Sequence, residues 1–271
     1  MLRTRVITAA ILLLLFVGGM FYLPVVWWGV VLLPLSLAGA WEWGALAGFK
    51  TSGRWGFCVL VLASALGLFM IAHQLQFPAV ERAVYVLSAA FWLICVPFWL
   101  GLGWRFRNPL LLVLTGWVLM VPTWLALVRL QETPWILLAV LGVVWIADIA
   151  AYFAGHAWGR HKLAPVISPG KTWEGVAGAA AAVAVYHASV WYFGFREVAP
   201  GSGMAAAMLV AVLFPLSILG DLFESWSKRQ AGVKDSGRLL PGHGGVLDRI
   251  DALTSTLPLA ALVVSWMLQR A

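Results

Sequence analysis

Uninterrupted apolar runs about 20 residues long dominate this chain. Coiled as a helix, such a run spans the hydrocarbon core of a bilayer. Nine runs are readable: Val6–Tyr22, Val25–Ala47, Phe57–Phe77, Ala83–Leu100, Leu110–Leu130, Trp135–Gly155, Glu174–Phe195, Met204–Phe223 and Ile250–Leu268. The fourth is short enough to re-enter the membrane rather than cross it. A membrane β-barrel would alternate apolar and polar residues, and these runs do not. With Gly counted in and Tyr left out, roughly 70% of the chain is apolar, against about 45–50% for a soluble domain. The expected fold is an all-α polytopic integral membrane protein of about nine transmembrane helices.

Charge sets the expected orientation. With the N-terminus in the cytoplasm and every run crossing, 14 of the 18 Lys and Arg residues fall inside. Only Arg82, Arg129, Arg196 and Arg270 fall outside, which is the positive-inside bias. The C-terminus is then outside, and the chain is a multi-pass protein of the inner (cytoplasmic) membrane. The net charge of +7 lies in short loops rather than in a basic groove, so no nucleic acid is expected as a partner. Arg3 and Arg5 before an apolar run resemble a signal peptide. No clean small-residue cleavage site follows, so the run reads as a retained first span. Cys58 and Cys95 lack metal-type spacing and read as packing residues. Of the 17 Trp residues, Trp27, Trp28, Trp41, Trp43, Trp55, Trp104, Trp135 and Trp191 sit at span ends, where an indole suits the headgroup zone.

The acids divide the chain. All five aspartates, Asp148, Asp221, Asp235, Asp248 and Asp251, lie beyond residue 147. Residues 1–133 therefore read as an anchoring half of about five spans. Residues 134–271 read as a catalytic half of about four spans with two polar cytoplasmic loops. Asp148 and Asp221 lie within spans, where an ionisable group is expensive and normally functional. Several carboxylates without thiolates suit a hard cation such as Mg²⁺. Zinc on His156, His161 and His243 is disfavoured by their spacing.

The first loop contains Ser168-Pro169-Gly170-Lys171-Thr172. It resembles the end of a P-loop, but Pro165 stands where that pattern requires Gly, so a Walker-type site fails. Thr172 is the expected N-cap of the next span, whose free amides, with Ser168 and Lys171 beside them, attract phosphate. The second loop runs from Ser225 to Asp251 and carries Lys228, Arg229, Lys234, Arg238 and Arg249. Asp221, Asp248 and Asp251 bracket it. Gly242-His243-Gly244-Gly245 gives it a backbone that can approach a ligand closely. Cations interleaved with carboxylates suit a polyphosphate and its metal.

The pattern Ser225-x-x-Lys228-Arg229-x4-Lys234-Asp235, followed by His243-Gly244-Gly245-x-x-Asp248-Arg249-x-Asp251, closely resembles the phosphatidate cytidylyltransferases (CDP-diacylglycerol synthases). Ser227 departs from it, standing where that family usually has a hydrophobic residue. Asp148–Tyr152, His161–Pro165 and Ser168–Gly175 also resemble the family, with Ile149 and Gly170 replacing the commoner Thr/Ser and Lys. The likeness covers about the last 45% of the chain, and the first five spans match only in hydrophobic character.

The resemblance implies that CTP and phosphatidic acid give CDP-diacylglycerol and pyrophosphate at the cytoplasmic face of the bilayer. It also implies a divalent cation, Mg²⁺ or Mn²⁺, with a second cation left open, and a homodimer. Asp221 and Asp248 are expected to hold the metal, with Asp148 and Asp251 as further or outer ligands. Lys171, Lys228, Arg229, Lys234 and Arg249 are expected to neutralise phosphates, and Ser168 and Thr172 to donate hydrogen bonds to them. His243 is expected to donate to a phosphate or the leaving group. Asp235 would orient Lys234, and Gly244 and Gly245 would let the backbone close on the nucleotide. Two other readings are a CTP-dependent transferase acting on an isoprenoid or ether lipid phosphate, and an ion-coupled transporter using Asp148 and Asp221.

Overall fold

In lipid a helix satisfies its own backbone polar groups, so each apolar run becomes one. The computed structural model describes residues 2–105, 108–195, 203–239 and 244–268. The helices are α1 (Leu2–Tyr22), α2 (Val25–Leu46) and α3 (Thr51–Phe69, continued by a π-helical turn Met70–Gln74). Next come α4 (Pro78–Leu102, enclosing a π-helical turn Phe91–Cys95), α5 (Pro109–Gln131) and α6 (Pro134–Trp158). The last three are α7 (Trp173–Phe195), α8 (Gly203–Gln230) and α9 (Leu247–Leu268). By length and composition α2 to α9 can each cross a membrane; the apolar stretch described within α1, Leu13–Tyr22, is shorter. Pro78, Pro109 and Pro134 open their helices, where a missing N–H is no loss.

Several elements differ from the sequence reading, among them α3, which begins at Thr51 rather than Phe57. The fourth span is not short. It begins at Pro78 and runs 25 residues, because Glu81 and Arg82, which read as loop, form its first turn. The eighth helix runs to Gln230 rather than Phe223, carrying Lys228 and Arg229 on a helix instead of in a loop. Glu224 and Lys228 are an i,i+4 pair that supports this extension. The loop between α6 and α7 contains an antiparallel hairpin, β1 (Lys162–Ala164) with β2 (Ser168–Thr172), which pairs Lys162 with Thr172 and Ala164 with Ser168.

Indoles join α2 to α5. Trp28 Nε1 donates to the Leu127 carbonyl at 3.0 Å, Trp124 Nε1 to Gly29 at 3.0 Å, and Trp43 Nε1 to Leu112 at 2.9 Å. Trp28 and Trp43 are thus buried, not at the headgroups as their span-end positions suggested. Trp27, Trp55 and Trp135 are exposed, as an interfacial anchor requires. Cys58 is buried, Cys95 lies on an exposed face, and neither is in a disulfide.

An aromatic cage sets the rotation of α8. Phe223 packs edge-on against Phe91, Trp92 and Trp99 of α4, with ring centroids 5.8, 5.6 and 5.3 Å away. At about 100° per residue, Asp221 points roughly 200° away from Phe223, toward α6 and α7. Gly220 lets α9 approach. A Cβ there would sit 2.6 Å from both the Asp251 carbonyl and Ser255 Oγ. Ser255 Oγ in turn donates to the Leu216 carbonyl at 2.8 Å, a polar contact added to the apolar packing of α8 on α9.

Candidate active site

A cleft of about 550 Å³ opens between α6, the hairpin, α7 and α8. Asp148 and Tyr152 line it from α6, Ser168 and Lys171 from β2, and Ser217 and Asp221 from α8. Small residues make the opening possible. Gly155 of α6 faces Gly175 of α7, where an added Cβ would sit 2.8 Å from the Ala151 carbonyl. That close α6–α7 crossing leaves the splay toward α8 as free volume.

Lys171 lies at the centre. Its Nζ is 2.6 Å from Asp221 Oδ2, with both side chains about a quarter to a third exposed. The ion pair joins the hairpin to α8 across the cleft. Asp148 is exposed to the same space from the opposite wall. Asp251 lies behind Asp221 on α9, within electrostatic reach of both, and its Oδ1 accepts from the Ala252 amide at 2.8 Å.

Two local devices hold the hairpin. Thr172 Oγ1 accepts the Gly175 amide at 3.2 Å with the extended backbone of an N-cap, as its sequence position suggested. Glu174 accepts the His161 amide at 3.2 Å and contacts His161 Nδ1 at 2.6 Å, clamping the base of β1 to the first turn of α7. Thr172→Ala removes the cap. It is expected to cost about 1 kcal/mol, lowering the thermal midpoint in detergent by about 2–4 °C. An unchanged midpoint would show that the helix start holds without it.

The second loop is tied down by carboxylates. Asp248 does not line the cleft. Its Oδ1 accepts Lys228 Nζ at 2.6 Å, and its Oδ2 accepts the amides of Ser236 at 3.0 Å and Gly245 at 2.8 Å. Lys228 also forms an ion pair with buried Glu224. The Gly245 amide is therefore engaged by Asp248, and Lys228 by two carboxylates. Lys228 lies seven residues beyond Asp221, about 10 Å along α8, so this cluster borders the cleft. Arg229, Lys234, Asp235, Arg238 and Arg249 are exposed around it, with Arg229 Nη1 donating to the Val233 carbonyl at 3.4 Å. Gly244 takes a positive φ of 84°, which favours glycine. His243 lies outside the described residues.

Sequence reasoning missed several groups. Tyr152 and His156, stacked at 6.1 Å on α6, and Lys162 of β1 line the cleft. Glu224 was readable as the i,i+4 partner of Lys228. Glu42 was not readable as a site residue, for its contacts are about 200 residues away in sequence.

The donor set fits a divalent cation. Asp148 and Asp221 offer hard oxygens to one cleft, and the Lys171 ammonium already rests on Asp221. Among the described residues no three His, Cys, Asp or Glu side chains form a ready-made metal cluster. Mg²⁺ commonly needs only one or two carboxylates, with phosphates and water completing its shell.

Residues 3–267 match the family model described as the cytidylyltransferase family. The chain is 39% identical to a Pseudomonas aeruginosa protein named phosphatidate cytidylyltransferase, over 97% of each chain. A Haemophilus influenzae protein of the same name is 32% identical over 95% of this chain and 96% of its own. One from Brucella suis is 53% identical over a shorter stretch, 46% of this chain and 45% of its own.

Proposed function

This chain belongs to the cytidylyltransferase family, and from that membership we propose that it is a phosphatidate cytidylyltransferase. CTP and phosphatidic acid would give CDP-diacylglycerol and pyrophosphate. The observation that carries the reading is one cleft, walled by membrane-crossing helices, where Lys171 of a polar hairpin meets Asp221 and faces Asp148. A polyphosphate entering from the hairpin side and a lipid phosphate held among helices can meet there.

The chemistry asks little proton transfer of the protein. The nucleophile is a phosphate oxygen of phosphatidic acid, already ionised at neutral pH. It forms a bond to the α-phosphorus of CTP while the α–β bridging P–O bond breaks and pyrophosphate leaves with that electron pair. No general base is needed, so the task is to bring two anions into line and screen their charge. Lys171 neutralises phosphate when it leaves Asp221, Ser168 and Thr172 add hydroxyls to the lining of the cleft, and Lys162 adds charge at the hairpin. Asp148 and Asp221 would hold a Mg²⁺ or Mn²⁺ ion, with Asp251 behind them. Such an ion supplies charge screening on the triphosphate when bound. Asp248 ties the second loop through Ser236 and Gly245 and would serve as a further ligand to that ion, while exposed Lys234 of the loop, Arg229 of α8 and Arg249 of α9 would draw nucleotide toward the membrane.

The hairpin is assigned to the cytoplasmic face of an inner membrane, with the N-terminus inside and the C-terminus outside. The 14-to-4 division of basic residues supports this orientation. The working form is taken to be a homodimer, as the family resemblance implies. The test uses purified protein in detergent with α-labelled CTP and Mg²⁺, offered phosphatidic acid, an isoprenoid monophosphate or no lipid. Label in a lipid product, with pyrophosphate in equal amount, only with phosphatidic acid and lost in EDTA, is the expected result. Transfer only to the isoprenoid phosphate would change the substrate. No transfer to any lipid from a folded sample would overturn the reading.

A further inference from the structure

Glu42 lies near the end of α2, in the half of the chain that reads as mere anchor, yet its side chain belongs to the second loop. It is 2% exposed. Its Oε1 accepts the Val246 amide at 3.1 Å, and its Oε2 accepts the Leu247 amide at 2.8 Å and the Ser236 hydroxyl at 3.1 Å. Val246 and Leu247 lead into α9, so two of these donors are amides that a helix start leaves unpaired. A buried carboxylate needs such donors, and an apolar anchoring helix needs no carboxylate.

The loop is shaped around this group. A Cβ on Gly237 would collide with the Glu42 carboxylate, and one on Gly245 would meet both Ser236 Oγ and Glu42. Asp248 grips the same two points from the other side, through the Ser236 and Gly245 amides. Residues 236 and 245 thus form a neck closed by two carboxylates, one from α2 and one from α9. The segment between them carries Arg238, and Lys234 precedes it.

We infer that Glu42 is a positioning residue, which ties residues 236–237 to residues 245–247 so that the adjoining cations Lys234 and Arg238 meet the nucleotide at a fixed place beside the cleft. The inference rests on the proposed cytidylyl transfer for its kinetic readout, while its structural readout is independent of activity. Glu42→Gln keeps the shape but turns an NH₂ toward donors. It is expected to raise the KM for CTP about tenfold and leave the KM for phosphatidic acid within about twofold, the scale of a misplaced binding loop. Amide exchange at Val246 and Leu247 should accelerate at least tenfold, with exchange in the middle of α2 unchanged. Ser236→Ala, removing one donor of three, should move the same KM about threefold.

Gly237→Ala disturbs the neck with Glu42 intact and should reproduce the Glu42→Gln effect; it carries the test if Glu42→Gln does not fold. Unchanged exchange at 246 and 247 in the full-length variants would overturn the inference. So would an equal change in kcat and in both KM values accompanying a general loss of thermal stability. Accelerated exchange in a chain whose wild type transfers nothing to any lipid would sink the proposed activity and leave the positioning role standing.

Discussion

Asp221→Asn is expected to lower the rate of cytidylyl transfer by about a hundred- to a thousandfold, the scale of one electrostatic group at a reacting centre. Asp221 has two tasks that an amide cannot take over. It holds the Lys171 ammonium at 2.6 Å, which sets the approach of the hairpin to α8, and it faces Asp148 across the cleft as part of the proposed cation site. Asparagine keeps the volume and loses the charge, so Lys171 is freed and the cation has one anionic ligand fewer. The fold should survive, because α8 is held by Phe223 in its aromatic cage and by Gly220 against α9. The loss should therefore appear in kcat with a nearly unchanged thermal midpoint. Activity within threefold of wild type would remove Asp221 from the reaction.

Lys228→Met has the largest expected effect on stability. Lys228 is one ammonium between two carboxylates, Glu224 and Asp248, and all three side chains are nearly buried, at 12, 5 and 7% exposure. Removing the cation leaves two anions without their partner, a loss of about 3–5 kcal/mol for a broken buried pair. The Asp248 grip on Ser236 and Gly245 would loosen with it, so the loop opens as the bundle weakens. Adding Glu224→Gln to Lys228→Met removes one of the stranded charges and should recover part of the thermal midpoint. A single variant melting within about 2 °C of wild type would show that the ammonium compensates neither carboxylate.

The helices were legible because lipid imposes a length and an apolar composition that a sequence carries openly. Thr172 was legible because a cap is local: the hydroxyl and the amide it accepts are three residues apart. The end of α8 was obscured because Glu224 and Lys228 look like loop chemistry until they are seen pairing on one helical face. Asp248 and Asp221 look equivalent in sequence, but the first accepts from Lys228 and two amides of the second loop and the second lines the cleft. Trp28 and Trp43 misled for a related reason, since a span-end indole can turn inward when a carbonyl on the next helix accepts its N–H. Glu42 shows the limit most clearly. No periodicity links it to residues 194 to 205 positions away, and only packing of α2 beside α9 does so.

The proposed seat of the nucleotide is the hairpin cleft, with the second loop beside it. Lysine footprinting with an amine-reactive reagent, read by mass spectrometry on the full-length protein in detergent, tests that placement directly. CTP with Mg²⁺ is expected to shield Lys171 and Lys162, which line the cleft, while exposed Lys50 keeps its reactivity. Unchanged reactivity of Lys171 and Lys162, with shielding confined to Lys234, would contradict it and move the nucleotide to the second loop.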